Sequence, residues 1–210
     1  NDVIMAYWAN RPATVAAFLT ENHSMIKTLS YAHAGDIYAS RVNQPHLPIQ
    51  KWAFERIDRI LSVSDAGTNH LKYEFPEFKE RIQTHRLGVV SPDQKNPRNT
   101  SETLHIFSLS SLVKVKRIQL IASAMSHIVR KIRWTHIGDG PERNNIISHL
   151  TELPPHIEVE FLGALPHDEV LQYMKTEPID LMLNTSSSEG VPVSIMEAYS
   201  HGIPVIATDV

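Results

Sequence analysis

From residue 104 onward, short β-branched apolar runs alternate with stretches of helical periodicity, and this alternation limits the chain to few folds. Strands are predicted at 104–109, 133–137, 157–162, 179–183 and 204–207, with helices at 117–130, 141–150, 168–174 and 192–201 between them. Five strands with four intervening helices predict a parallel sheet, because parallel neighbours need a crossover and a helix supplies it. Within 117–130, Ile118, Ile121, Ala122, Met125, Ile128 and Val129 share one face, the expected buried side. Pro141 suits a first helical position, and Gly202 suits the end of the helix at 192–201.

The first half is a weaker version of the same pattern: strands at 3–8, 26–31, 60–63 and 82–87, helices from Pro12, over 48–59 and from Asp65. Between the halves, residues 91–101 are polar and twice interrupted by Pro, the composition of a linker. The expected organisation is therefore α/β with two Rossmann-like domains, a partial first domain over 1–95 and a second over 96–210. Both are expected to be truncated, since the chain enters an apolar run at Val3 and stops just after another.

Composition removes several function classes. A net charge of −3 gives no bulk attraction to a polyanion, so nucleic acid is not an expected partner. The absence of Cys excludes disulfides, thiolate metal sites and Cys nucleophiles, and permits a reducing compartment. The 12 His include no pair spaced as metal ligands, so no metal is expected. No apolar run approaches the roughly 18 residues that span a bilayer. The cytoplasm is the expected location, with room for peripheral contact at the inner face of the membrane.

In open parallel sheets, ligands bind beyond the carboxyl ends of the strands. Four loops of the second half end there: 110–116, 138–141, 163–167 and 184–191. In the last, Thr185-Ser186-Ser187-Ser188-Glu189-Gly190-Val191-Pro192 delivers small polar residues and a Gly onto a helix start. Free amides near Gly190, Val193 and Ser194, with the positive end of the helix dipole, suit a diphosphate. Glu197 lies about one and a half turns into that helix. Two carboxylates beside a diphosphate are poor phosphate ligands but good acceptors for sugar hydroxyls. The plainer alternative is a capping Glu189 and a solvated Glu197.

The run Glu189-Gly190-Val191-Pro192-Val193-Ser194-Ile195-Met196-Glu197-Ala198, followed by Gly202-Ile203-Pro204-Val205-Ile206-Ala207-Thr208, resembles the signature of family-4 retaining glycosyltransferases of the GT-B fold. Leu112-Val113-Lys114-Val115-Lys116-Arg117, His136-Ile137-Gly138-Asp139-Gly140-Pro141-Glu142-Arg143, and Val159-Glu160-Phe161-Leu162-Gly163 with His167 agree in order and distance, so the resemblance covers about residues 104–210. It implies that Glu197 holds the nucleotide ribose and Glu189 a donor-sugar hydroxyl. It further implies that Gly190 to Ser194 offer amides to the diphosphate and that Lys116 neutralises the leaving group, with Gly163 and Leu165 near the base and Gly138 in the same cofactor-side set. The donor would lie in the cleft between the domains, with no bound metal or cofactor. One departure stands out: Ser110-Ser111 occupies a position where members usually carry a phosphate-binding Arg.

In the first half, Tyr31-Ala32-His33-Ala34-Gly35-Asp36 resembles the His-x-x-Asp segment of some members, which implies a donor-sugar contact by His33; a satisfied structural His is the plainer alternative. Val63-Ser64-Asp65 resembles the family's strand-end Val-Ser-Glu, but a cap of the next helix by Ser64 or Asp65 is the preferred reading. Trp8, Trp52 and Trp134, with apolar neighbours, are expected in the core rather than as sugar-stacking platforms. The function implied is sugar transfer from a nucleotide diphosphosugar to an acceptor hydroxyl with retention, in cell-surface polysaccharide or glycolipid synthesis, the acceptor being a glycan or lipid-linked. The alternative is a weak or inactive sugar-nucleotide-binding module or partner subunit.

Overall fold

The computed structural model describes residues 2–23, 25–38, 49–151 and 153–210, and these divide into two units, Asn1–Leu87 and Gly88–Val210. The first unit contains β1 (Val3–Ala6), α1 (Arg11–Asn22), β2 (Lys27–Ala32), α2 (Ala34–Ile37), α3 (Gln50–Arg56), β3 (Arg59–Ser62), α4 (Asp65–Glu74), a 3-10 helix (Pro76–Arg81) and β4 (Ile82–Thr84). Its strands are parallel in the order β1-β2-β3-β4. The helix expected from 48 begins at Gln50; Pro48 lies outside the described residues. Ser64 caps α4, its Oγ accepting from the Gly67 amide at 3.1 Å.

Small side chains let α1 approach this sheet closely: Ala13, Ala16 and Ala17 are buried with Phe54, Ile57, Ile60, Leu71 and Ile82 in one cluster. On the other face, Val3 and Met5 are each 58% exposed, so the described residues cover one side of a parallel sheet, where two covered sides are usual. Trp8 departs from the core expectation: it is 40% exposed, just beyond the end of β1, whereas Trp134 is fully buried and Trp52 half-buried against the core.

The second unit contains β5 (Leu104–Leu109), a 3-10 turn (Lys114–Lys116), α5 (Gln119–Met125), β6 (Ile132–Ile137), α6 (Arg143–Leu150), β7 (Ile157–Gly163), α7 (His167–Thr176), β8 (Leu181–Asn184), α8 (Val193–Ser200) and β9 (Val205–Ala207). Its strands are parallel in the order β7-β6-β5-β8-β9, the doubly wound α/β arrangement. Successive residues of β5 feed opposite cores: Ile106 packs with Ile121, Met125, Trp134 and Ile146, and Phe107 with Val170, Met174, Met182 and Ala198. Both faces are thus covered, as a sheet of near-continuous apolar strands requires.

The stretch expected as a linker is fastened to this unit. Asn96 donates through Nδ2 to the carbonyls of Met174 and Glu177 and accepts from the Ile179 amide, while Asn99 donates to Asp180. The helix expected at 117–130 is shorter. Arg117 takes a left-handed conformation (φ 47°), so α5 starts only at Gln119. It ends at Met125, leaving Val129 95% exposed and Ile128 at the surface instead of on the buried face.

Two glycines with positive φ differ in their surroundings. A Cβ on Gly138 (φ +139°) would sit 1.9 Å from the Ser110 carbonyl oxygen, whereas one on Gly163 (φ +75°) would meet nothing within 4 Å. Gly138→Ala is therefore expected to destabilise the second unit by about 3 kcal/mol or more, combining strain and overlap. Gly163→Ala carries the backbone penalty alone, about 1–2 kcal/mol. Urea denaturation of the two variants checks this order.

Candidate functional site

The sheet makes β5 and β8 parallel neighbours at the point where the strand order reverses, so the loops leaving their carboxyl ends meet at the switch point. Backbone and side-chain hydrogen bonds join these loops. The Ser187 amide donates to the Val115 carbonyl (2.8 Å), and Thr185 Oγ1 donates to the Lys116 carbonyl (2.9 Å). From its left-handed position, Arg117 donates through its guanidinium to the carbonyls of Thr185 (2.8 Å) and Ser186 (3.0 Å). Arg117 is thereby committed to holding the loop, and does not supply the cation missing at Ser111.

Lys116 and Glu189 meet across this seam, Nζ to Oε1 at 2.6 Å, with side chains only 24% and 17% exposed. The same Glu189 oxygen accepts from Ser186 Oγ (2.5 Å) and Asn184 Nδ2 (3.3 Å). Burial pushes the Glu189 carboxyl up, but the bonds from Lys116 and Ser186 outweigh it and hold the group below the ordinary carboxylate range. It is ionised near neutral pH.

Beyond Glu189 the chain enters α8 through exposed Gly190 and half-buried Pro192, and no side chain caps the helix. The amides of Ile195 and Met196 donate to the Pro192 carbonyl; those of Val193 and Ser194 precede them at the open end, where an α-helix has unpaired donors. Glu197 is only 6% exposed, unlike a solvated helix residue, and its Oε1 lies 2.6 Å from Nε2 of His167, the first residue of α7. Gly163 ends β7 on the same side of the sheet, and Leu165 packs partly into the core beside α7. Both carboxylates therefore have a partner donated by a different strand-end loop. Sequence reading passed over Ser186 and Asn184 as holders of Glu189, although small polar residues between a strand end and a carboxylate were visible; nothing in the sequence marks Arg117 as left-handed.

Gly138 brings its loop against the Ser110 carbonyl, an approach that a Cβ would block. Beneath that loop runs a buried polar chain. Trp134 Nε1 donates to Ser108 Oγ (2.9 Å), Ser108 bonds His136 Nδ1 (2.8 Å), and His136 Nε2 lies 3.1 Å from the Ser110 carbonyl. A carbonyl can only accept, so Nε2 carries the proton and Nδ1 accepts from the Ser108 hydroxyl. Burial pushes the His136 pKa down to about 4 despite the Ser110 bond, which opposes the shift.

His33 sits in the first unit at the end of β2, with both ring nitrogens buried and without hydrogen-bond partners, and with Trp8 at 4.5 Å and Tyr7 at 4.9 Å between ring centroids. Burial lowers its pKa. Fully buried Asp36 fixes this corner, accepting from the amides of Ala9 and His33, each at 2.6 Å. Burial raises the Asp36 pKa to about 6 against those amides. Among the described residues, no group of three or more His, Asp or Glu could hold a metal ion, and no helix is long and apolar enough to cross a membrane.

A doubly wound parallel sheet with an uncapped helix start at its switch point defines an α/β class in which ligands bind beyond the carboxyl ends of the strands. The model of the glycosyl transferases group 1 family matches residues 91–210, more than half of the chain, and the chain belongs to that family. Among solved structures, Anabaena HepE in complex with UDP superposes with a TM-score of 0.78 at 17% identity, covering 98% of this chain and 59% of that one. TarM gives 0.71 at 18% identity over 99% of this chain and 41% of its own. The lipopolysaccharide outer core galactosyltransferase WaaB gives 0.67 at 17% over 98% and 56%. The fold is thus that of GT-B glycosyltransferases, and the chain spans between 41% and 59% of the length of these three. A search of curated protein sequences returned no match.

Two of the buried titratable groups, His136 and Asp36, predict opposite pH effects. His136 takes up its proton near pH 6.5 when unfolded and about 4 when folded, so its stabilising contribution is complete above 6.5 and falls by about 3 kcal/mol as pH drops to 4. Asp36 protonates near 3.8 unfolded and about 6 folded, so its contribution grows as pH falls through the same window. Urea melts at several pH values should show the acid-side loss reduced in His136→Gln and enlarged in Asp36→Asn.

Proposed function

We propose that this chain is the nucleotide-sugar-binding part of a retaining, family-4 glycosyltransferase, moving a sugar from a nucleotide diphosphosugar to an acceptor hydroxyl. The observation that carries the reading is the pair of held carboxylates, Glu189 and Glu197, at the open end of α8 and at the switch point of the sheet. Glu197, nearly buried, would accept from the nucleotide ribose, with Gly163 and Leu165 toward the base and Gly138 shaping the loop beside it. Amides of Gly190, Val193 and Ser194 would hold the diphosphate, where the helix dipole favours negative charge. Lys116 would neutralise the charge that develops as the nucleoside diphosphate leaves, and Glu189 would accept from a sugar hydroxyl. His33 is proposed as a contact of the transferred sugar.

Retention requires no separate protein base when the leaving phosphate takes the acceptor proton on the face from which it departs. No metal or cofactor enters this reading; the nucleotide sugar is the substrate. Printed descriptions of structural neighbours support its chemistry: HepE was solved with UDP-glucose and TarM with UDP. A glycan or lipid-linked acceptor, cell-surface polysaccharide or glycolipid synthesis, and a cytoplasmic location at the inner face of the membrane complete the proposal. A weak or inactive sugar-nucleotide-binding module or partner subunit is the second reading, favoured by Ser111 where an Arg is usual and by the commitment of Arg117 to backbone carbonyls.

Isothermal titration with UDP and GDP tests the donor site. One of the two is expected to bind, and Glu197→Ala should weaken it at least tenfold by removing a buried charged acceptor. Unchanged binding in that variant would falsify the assignment.

A further inference from the structure

Lys116 and Glu189 both have ligand roles in the donor-site reading, yet in this structure each is the other's partner at 2.6 Å. We infer that the ion pair is a latch opened by the nucleoside diphosphate: phosphate draws Lys116 away, and Glu189 then becomes available to a sugar hydroxyl. The inference rests on that reading and adds an order to it, diphosphate before sugar.

Three observations support an exchange of partners rather than a fixed pair. First, the two residues are held differently. Glu189 keeps Ser186 and Asn184 on the same oxygen when Lys116 leaves, so the carboxylate stays in place. The Lys116 backbone is tied through its carbonyl to Thr185, while its ammonium stands on a flexible four-carbon stem that can swing with no backbone movement. Second, the pair is partly buried, where ionic attraction is screened less than at the surface, so an incoming anion must outcompete a substantial interaction. Third, the neighbouring guanidinium of Arg117 is occupied by two backbone carbonyls, whereas the Lys116 ammonium is bound to a side-chain carboxylate that it can exchange for another anion. Until it does, the Lys116 ammonium is held by Glu189, and Oε1 of that carboxylate is shared by three donors.

The test is a double-mutant cycle in the full-length protein: wild type, Glu189→Gln, Lys116→Met and the double variant, each titrated calorimetrically with UDP and GDP. Removing the latch should tighten nucleoside diphosphate binding about tenfold in Glu189→Gln. In the Lys116→Met background the same change should have no effect. Weakened or unchanged affinity in Glu189→Gln overturns the inference. So does equal tightening in both backgrounds, which signals simple repulsion between carboxylate and phosphate. Glu189→Ala, with the unfolding temperature of every variant, provides the second route if Gln disturbs the loop. A wild type that binds neither nucleotide overturns the donor-site reading itself, a result separate from a failed cycle.

Discussion

Everything at the candidate site depends on β5 and β8 lying side by side. Adjacent parallel strands emit their loops in the same direction, but only where the winding order reverses do two such loops face each other without a helix between them. The Lys116 loop and the Ser186 loop occupy that place, and Arg117 seals them by adopting a backbone conformation unusual for a side chain of its size. Its local strain is offset by two charge-assisted bonds to carbonyls. Without that seam the ion pair would join two independent loops, and its geometry would be loose.

A second layer keeps the sheet end rigid. The chain Trp134–Ser108–His136–Ser110 pairs the Trp134 indole N–H, the Ser108 hydroxyl and both His136 ring nitrogens, and fixes one tautomer of the imidazole. Gly138 fits over the end of this chain against the Ser110 carbonyl. Fold stability and loop position are thus joined in one network, so a change that protonates His136 should disturb the shape of the neighbouring loops as well as the core.

Much of the second unit was legible in sequence because its strands are nearly continuous apolar runs and its turns carry Gly or Pro. The strand at 104–109 and the helix start at Asp65 were read directly, and of the two candidate caps, Ser64 and Asp65, it is Ser64 that accepts from the helix. What failed was set by single conformations and tertiary context. Apolar periodicity extended α5 through Val129, where the chain has already left the helix and the side chain faces solvent. The apolar neighbours of Trp8 suggested a core position, yet it follows a strand at the sheet edge with one face uncovered. Of the candidate site, the carboxylates, the helix start and the small polar residues before Glu189 were readable as a pattern; that Lys116 and His167 would meet the two carboxylates was not, since those contacts join loops far apart in sequence.

The empty space beside Gly163 gives that residue a different character from Gly138, although both have positive φ. At Gly163 the chain turns away from β7 and leaves a patch of bare peptide with no side chain above it. In the proposed donor site such a patch is a smooth floor on which a planar heterocycle could rest against the amide plane. Selectivity among bases would then come from the edges of the ring, which meet the backbone groups around it, while the floor itself accepts any flat ring.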